Sequence, residues 1–263
     1  MIDDLIPIVK DCESQKDITI YPICDLHYGS RQFMGKKWDA FVSRIRSENN
    51  SYIVVAGDLM NNALKASVSN VYEETCRPAE QKRWLAEQLE PIKDKILCGC
   101  GGNHERRSTK DADDDPLYDV FCKLDIEERY RENAAFLILR IGGGDSSKPS
   151  RTRPTYTFCV THGSGGGMYI GSSGNKLERY GSIIDGLDCL VTGHTHKPLT
   201  FPVGKLRIDP QNKKVSQTQF TVVQATSWLE YGGYPIQKML TPTAHCLAEI
   251  RLSAVGKQIR VLQ

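Results

Sequence analysis

Five of the six histidines in this chain stand where a short apolar run ends. His27 follows the run 18–24, His104 the run 95–100, His162 the run 155–161, and His194 and His196 the run 188–191; only His245 stands elsewhere. Short apolar runs bounded by glycine and polar residues read as buried strands. Polar groups gathered beyond the carboxyl ends of such strands occupy the place where open α/β sheets build their ligand sites. One imidazole in that position is commonly a satisfied structural histidine, whereas five placed alike point to a shared site.

The rest of the chain agrees with an α/β architecture. Residues 18–24, 52–56 and 95–100 read as strands separated by amphipathic helices over 37–48 and 78–89, an alternating rhythm. The second half is richer in strand candidates, at 135–141, 155–161, 188–191, 201–208, 217–224 and 245–252, so a second sheet is expected. Three stretches read as loops: the Asp-rich 110–116, the Gly/Ser/Lys/Pro segment 142–154 and the glycine-rich 163–174. None has the character of a flexible linker and no repeat is visible, so 1–263 is read as one domain.

With 40% hydrophobic residues in 263, a core can form without disulfide staples. The nine cysteines are odd in number and most lie inside strand-like runs, which suits reduced thiols. Cys98 and Cys100 could bind a soft metal as a pair, but no second pair lies at zinc-site spacing, and core packing is the better reading. The longest apolar stretches, 52–56 and 136–139, fall far short of the roughly 20 residues that cross a bilayer. No membrane partner is expected, and with no signal-peptide pattern the cytoplasm is the expected location. A net charge of +2 neither demands nor excludes a polyanionic partner.

The polar strand ends carry specific donors. In Asp25-Leu-His27 the two residues two apart share a strand face and can converge on one ion. Alone, the pair is as well explained by a capping aspartate beside a surface histidine. Gly57-Asp58 repeats the arrangement, with a glycine permitting close backbone approach. Gly101-Gly102-Asn103-His104-Glu105, His162-Gly163 and Gly193-His194-Thr195-His196 complete the set.

Together, Asp25-Leu-His27, Gly57-Asp58, Gly102-Asn103-His104-Glu105, His162 and Gly193-His194-Thr-His196 resemble the calcineurin-like metallophosphoesterase signature, with all five blocks in order. The resemblance implies a four-layer α/β/β/α sandwich with two mixed sheets and the motif loops gathered at one edge. It implies that Asp25, His27, Asp58 and His196 hold one metal, that Asp58, Asn103, His162 and His194 hold a second, and that Asp58 bridges them. Imidazole and carboxylate donors without thiolate suit two divalent ions about 3.5–4 Å apart, manganese first, with iron, zinc or nickel as alternatives. Two such ions would acidify a bound water into a nucleophile and draw charge from a phosphoryl group. His104, with no metal assigned, would be the catalytic histidine that meets the phosphate or protonates the leaving group.

The resemblance has one informative departure. Ser/Thr protein phosphatases continue the Gly-Asp block with an acid and an arginine, whereas this chain reads Gly57-Asp58-Leu-Met-Asn61-Asn62. A protein-phosphatase activity is therefore disfavoured, and Asn61 is expected to accept a hydrogen bond from His104. Arg106 and Arg107 could meet a second phosphate or a nucleic-acid backbone, or simply be solvated. The loop 163–174 is expected to border the substrate, or to be a mobile connection. Trp228, Tyr231 and Tyr234 could stack a base, although packing within a loop is the better reading. The expected function is a phosphodiesterase or nuclease acting on a nucleotide or nucleic acid. The alternatives are a phosphomonoesterase of broad or small-molecule specificity, a metal-binding scaffold without turnover, and a nucleic-acid-binding module whose metals are structural.

Overall fold

The structure is a computed structural model that describes residues 4–13, 16–65, 67, 71–142, 153–167 and 169–263. Its strands are β1 Ile8–Cys12, β2 Ile18–Ile23, β3 Ser51–Ala56, β4 Ile96–Cys100, β5 Tyr130–Arg131, β6 Ala134–Ile141, β7 Thr155–Thr161, β8 Cys189–Thr192, β9 Leu199–Asp209, β10 Lys214–Gln224, β11 Glu249–Leu252 and β12 Ile259–Leu262. The helices are α1 Gly35–Ser47, α2 Pro78–Leu89, α3 Glu105–Ala112, α4 Pro116–Lys123, α5 Ile170–Ser182 and the short α6 Tyr234–Gln237.

Two six-stranded sheets form, in the orders β12-β11-β2-β3-β4-β5 and β1-β6-β7-β8-β10-β9. In the first, β2, β3, β4 and β5 run parallel. Strands β3 and β4 are almost entirely buried, as parallel strands covered on both faces must be. In the second, β7, β8 and β10 run parallel and β1 runs parallel to β6, while β6 is antiparallel to β7 and β9 to β10. Both sheets are mixed, as expected from the sequence.

The buried side chains sort into layers. Ile18, Ile20, Val54 and Cys98 of the first sheet meet Leu137, Leu139, Phe158 and Val191 of the second in a core between the sheets. On the outer face of the first sheet, Tyr21, Ile23, Ile53 and Val55 pack against Trp38, Phe41 and Ile45 of α1, Leu85 of α2 and Leu117 of α4. On the outer face of the second, Leu190, Val203, Phe220 and Val222 pack against Leu177 of α5. The result is the four-layer α/β/β/α sandwich.

The helices form where the local chemistry favours them. Trp38, Phe41 and Ile45, three and four residues apart, give α1 one buried stripe. Pro78 opens α2, and the Glu80 carboxylate accepts the Arg77 backbone N–H at 2.8 Å. Asp115 caps α4 by accepting from the Leu117 and Tyr118 backbones.

Several sequence expectations change. The glycine-rich 163–174 is a loop only in its first part, because α5 begins at Ile170. The Asp-rich 110–116 is mostly helix: α3 runs to Ala112 and α4 starts at Pro116, with Asp113 turning the chain at φ 54°. The last strand of the 245–252 region starts only at Glu249, and His245 instead packs edge-on against Trp228. Of the loop expected at 142–154, residues 143–152 lie outside the described residues. Cys98 and Cys100 are buried in the inter-sheet core, and the nine cysteines are free thiols. Among the described residues no helix is long and apolar enough to cross a membrane.

Candidate metal centre

Beyond the carboxyl ends of β2, β3, β4, β7 and β8 the chain turns sharply and delivers Asp25 and His27, Asp58, Asn103 and His104, His162, and His194 and His196 into one cluster. Asp25, His27 and His196 form one group of converging donor atoms, Asp58, His162 and His194 another, and His27, Asp58 and His104 a third that overlaps both. The loops are stitched to one another by their backbones. Asp25 N–H donates to the Gly57 carbonyl at 3.1 Å, His27 N–H to Asp58 at 3.0 Å, and Gly193 N–H to His162 at 3.0 Å.

These turns are made with unusual backbone. Asp25, His27, Asp58, His194 and His196 all have positive φ, between 47° and 73°. A left-handed residue with a Cβ costs roughly 1–2 kcal/mol, and such strain persists only where the surroundings over-determine it. Five of the seven candidate ligands carry it. Gly57, at φ 78°, and Gly102 face each other so closely that a Cβ on Gly57 would meet the Gly102 nitrogen at 2.5 Å, and one on Gly102 would run into the Asp58 carboxylate.

Both aspartates are buried and each is held in the same way. Asp25 Oδ2 accepts the His194 backbone N–H at 2.9 Å, and Asp58 Oδ1 accepts the His104 backbone N–H at 2.8 Å. The second oxygens point inward. Asp25 Oδ1 faces His196 Nε2 at 3.3 Å and His27 Nε2 at 3.6 Å, and it has no hydrogen-bond partner. Asp58 Oδ2 faces His162 Nε2 at 3.1 Å, and His27 and His104 each at 3.9 Å. Asn103 Oδ1 lies 2.7 Å from His194 Nδ1 and 3.0 Å from His162 Nε2.

The ring nitrogens are oriented for ligation. His162 Nδ1–H donates to the Ala56 carbonyl at 2.7 Å, which leaves Nε2 to face Asp58 and Asn103. His27 Nε2 and His196 Nε2 lie 3.1 Å apart, and His194 Nδ1 and His162 Nε2 lie 3.2 Å apart. Nitrogens and carboxylate oxygens converging in this way, with one buried carboxylate oxygen lacking any donor, match what a divalent cation requires. The donor set therefore fits two metal ions.

The electrostatics point the same way. Burial opposes the ionisation of Asp25 and Asp58, yet the neighbouring imidazoles hold both carboxyls well below the usual range. Burial also works against a proton on His162, but the Asp58 carboxylate overrides it and pushes the imidazole up to about 10. His196 is raised by Asp25 in the same sense, also against burial. His104, buried and next to His27 and Arg107, is pushed down to about 3. Two buried carboxylates thus draw positive charge from whatever is nearest.

Around the donors lies a supporting shell that sequence reasoning had not assigned. The buried Glu105 carboxylate accepts the backbone N–H groups of Asp58 at 2.9 Å, Gly102 at 3.0 Å and Met60 at 3.1 Å, tying the loops after β3 and β4 together. Burial and the Asp58 charge raise its carboxyl to about 7. Asn62 Nδ2 donates to the His104 carbonyl at 2.8 Å and to Ser108 Oγ at 2.9 Å.

Asn61 serves His104 differently from expectation. The imidazole Nδ1–H donates at 2.7 Å to the Asn61 backbone carbonyl, while the Asn61 side-chain amide turns away and donates to Glu74. Arg106 and Arg107 also part company. Arg106 reaches the Glu132 carbonyl at 3.4 Å, whereas Arg107 lies against His104. Trp228 is buried, edge-on to Trp38 at 5.4 Å, so it presents no face to a base; Tyr231 and Tyr234 are exposed. In the segment after His162, the Gly167 carbonyl accepts from Lys197 Nζ at 2.9 Å.

Comparison with known proteins gives two findings. The model of the calcineurin-like phosphoesterase family matches residues 18–198, a span that holds every residue of the cluster. The chain is also similar to the DNA polymerase II small subunit of Archaeoglobus fulgidus, 25% identical over 133 residues that cover 43% of this chain and 25% of that protein. The match thus spans a quarter of the relative's length.

Proposed function

Because the chain belongs to the calcineurin-like phosphoesterase family, we propose that it is a dinuclear metal-dependent phosphodiesterase or nuclease that hydrolyses nucleotide or nucleic-acid phosphodiesters. Asp25, His27, Asp58 and His196 would hold one ion, and Asp58, Asn103, His162 and His194 the other, with Asp58 shared. One observation carries the reading. Each buried aspartate spends one oxygen on a backbone N–H and turns the other towards imidazole nitrogens, and Asp25 Oδ1 receives no hydrogen. Manganese is proposed because the donors are nitrogen and oxygen without thiolate. When bound, two such ions supply Lewis acidity, acidifying a water and drawing charge off phosphoryl oxygens.

The chain's own residues do the rest. The Asn61 carbonyl fixes His104 through Nδ1, so that Nε2 is the atom left to meet the phosphoryl group or the leaving oxygen. Glu105 holds the loops that carry Asp58 and His104 in register. The preference for a nucleic-acid-related diester is supported by the likeness to part of a DNA polymerase subunit and by the absence, after Gly57-Asp58, of the acid and arginine that mark protein phosphatases.

The test is hydrolysis of bis-p-nitrophenyl phosphate and p-nitrophenyl phosphate by protein stripped of metal and reloaded with Mn²⁺, comparing wild type with Asp58→Ala and His104→Ala. Diester cleavage by the wild type, lost in both variants, is expected. Preference for the monoester would move the assignment to a phosphomonoesterase. Two ions bound with neither ester cleaved would leave a scaffold or a binding module.

A further inference from the structure

His104 and Arg107 lie three residues apart at the start of α3, on one helix face. Arg107 Nη2 lies 3.0 Å from His104 Nε2, and Arg107 Nη1 donates to the Asn61 carbonyl at 3.0 Å. That carbonyl already accepts from His104 Nδ1–H at 2.7 Å. A guanidinium has only donors, so His104 Nε2 must be the acceptor in this pair, and the imidazole is the neutral Nδ1–H tautomer. The guanidinium thus covers the ring atom that faces Asp58 Oδ2 at 3.9 Å.

A capping role does not account for this placement, because the Asn61 carbonyl has a closer donor without Arg107. Electrostatics do not favour it either. The His104 ring is 4.3 Å, centroid to centroid, from that of His27, and a permanent cation held at the rim of a site for two divalent ions is repelled by them. Asp58, Glu105 and Glu74 offset part of that repulsion, and the first of these would be spent on the metals. An arriving anion resolves the conflict. Guanidinium is the side chain whose fork matches phosphoryl oxygens in pairs.

We infer that Arg107 is a substrate-contacting residue that grips the non-bridging oxygens of the reacting phosphoryl group, handing over the hydrogen bond it makes to His104 Nε2 when substrate enters. Asn61 is its pivot: Nη1 stays on the carbonyl while Nη2 changes partner, which frees His104 Nε2 for the same phosphoryl group. Arg107 would thereby fill the place left by the arginine missing after Gly57-Asp58. Arg106, turned towards Glu132, takes no part.

The inference rests on the phosphoesterase reading, and the experiment separates the two. Mn²⁺-loaded wild type, Arg107→Ala, Arg107→Lys and Arg106→Ala are titrated with inorganic phosphate by calorimetry, and KM and kcat are measured with bis-p-nitrophenyl phosphate. Nitrogen-15 spectra of the His104 ring in protein loaded with diamagnetic Zn²⁺, with and without phosphate, report the tautomer and the hydrogen bond at Nε2. Loss of a charge-assisted pair weakens phosphate binding by on the order of tenfold to a hundredfold in Arg107→Ala. Arg107→Lys is expected to recover part of that, Arg106→Ala to resemble wild type, and phosphate to shift Nε2 in the wild type and Arg106→Ala but not in Arg107→Ala.

Phosphate bound equally by wild type and Arg107→Ala, with Nε2 unmoved by phosphate, overturns the inference even when both cleave the ester. If neither wild type nor any variant cleaves the diester, the phosphodiesterase reading falls. The phosphate titration and the ring spectra still decide whether Arg107 holds a phosphoryl group.

Discussion

Two of the loops that bring the donors are built very differently. The loop after β3, from Gly57 to Asn62, is almost wholly buried. The Glu105 carboxylate takes its Asp58 and Met60 N–H groups, Gln81 Oε1 takes that of Asn62 at 2.9 Å, and the Tyr28 carbonyl takes that of Asn61 at 2.8 Å. The loop after β8, with His194 and His196, is half-buried from residue 194 to residue 198. It is anchored by Asp25 Oδ2 on the His194 N–H, by the Gln224 side-chain amide, which donates to Thr195 Oγ1 and the Lys197 carbonyl, and by the Gly193 N–H on the His162 carbonyl. A shared, bridging ligand gains from rigid placement, while a ligand at the rim can yield as substrate enters. The closed loop is thus suited to hold both ions and the open loop to complete each of them.

The largest effect that tests this contrast is on metal content. Asp58→Ala should leave both ions unbound and abolish hydrolysis. His194→Ala should lower metal affinity by on the order of 10–100-fold and keep residual turnover at high Mn²⁺. Metal stoichiometry by mass spectrometry, read beside diester hydrolysis, checks both. Equal loss of metal in the two variants would erase the distinction between the loops.

Asp58 of the closed loop should also shape the pH dependence of the metal-stripped protein, through the imidazoles that face it. His162, raised to about 10 by Asp58, contributes stability that is fully present below the unfolded histidine value of about 6.5 and is lost as pH climbs towards 10. Asp25 and Asp58, held low by the imidazoles, contribute stability above about 3.9 that is lost as pH falls further. His104, pushed down to about 3, works in the acid direction too: it must take up a proton on unfolding below about 6.5. The melting temperature of stripped protein should therefore peak near neutrality, with an alkaline limb of up to ~1.4 kcal/mol per pH unit from His162. His162→Gln should flatten that limb, and a wild-type melting temperature that is level from pH 7 to 9 would place the proton elsewhere.

The donors were legible in the sequence because each is a distinctive residue at the end of a distinctive strand. The match at Thr155–Thr161 and Pro78–Leu89 shows how well long apolar or amphipathic segments declare themselves. What stayed hidden was carried by main chain. No residue pattern announces that the Asn61 carbonyl, rather than its side chain, orients His104. Nor does any pattern announce that His27, His194 and His196 adopt left-handed backbone, since histidine has no propensity strong enough to signal it. Helix α5 was disguised by its glycines and serines; it is specified by Leu177 packing near Phe220 and Val203 of the adjoining hairpin, a tertiary reason that local propensity does not reveal. Glu105 lay within a motif already noticed, and its run of three backbone partners emerges only once the loops after β3 and β4 are brought together.

Glu105 offers the next sharpening of the contrast. Glu105→Gln preserves shape but replaces one acceptor oxygen by an amide that faces backbone N–H groups and cannot accept from them. The loss of a buried, charge-assisted acceptor costs about 1–3 kcal/mol. Burial and the Asp58 charge raise the carboxyl to about 7, so its contribution is fully present below the unfolded value of about 4.3 and is lost as pH rises through about 7. The substitution should therefore lower the melting temperature less at pH 8.5 than at pH 6, because only the wild-type carboxyl loses stability as pH climbs through about 7 and the amide does not titrate. An unchanged difference across that range would mean that the loop after β3 is held by packing and not by this charge.

The smallest effect belongs to the open loop and decides how much order its ligands require. Gln224→Ala removes the amide that donates to Thr195 Oγ1 and the Lys197 carbonyl, on either side of His196. Ordinary neutral hydrogen bonds contribute about 0.5–1.5 kcal/mol each, and the neighbouring carbonyl can recruit water because the loop is half-exposed. Stability should fall by no more than about 2 kcal/mol and metal affinity by less than tenfold. The Asp25 contact to the His194 N–H remains, so His194 should stay near Asn103 and His162 while His196 loosens from Asp25 and His27. Sequential metal titration should then show one binding step weakened and the other intact. If both steps weaken together, the two ion sites are coupled through the open loop as tightly as through Asp58, and the closed loop is not the one that organises the centre.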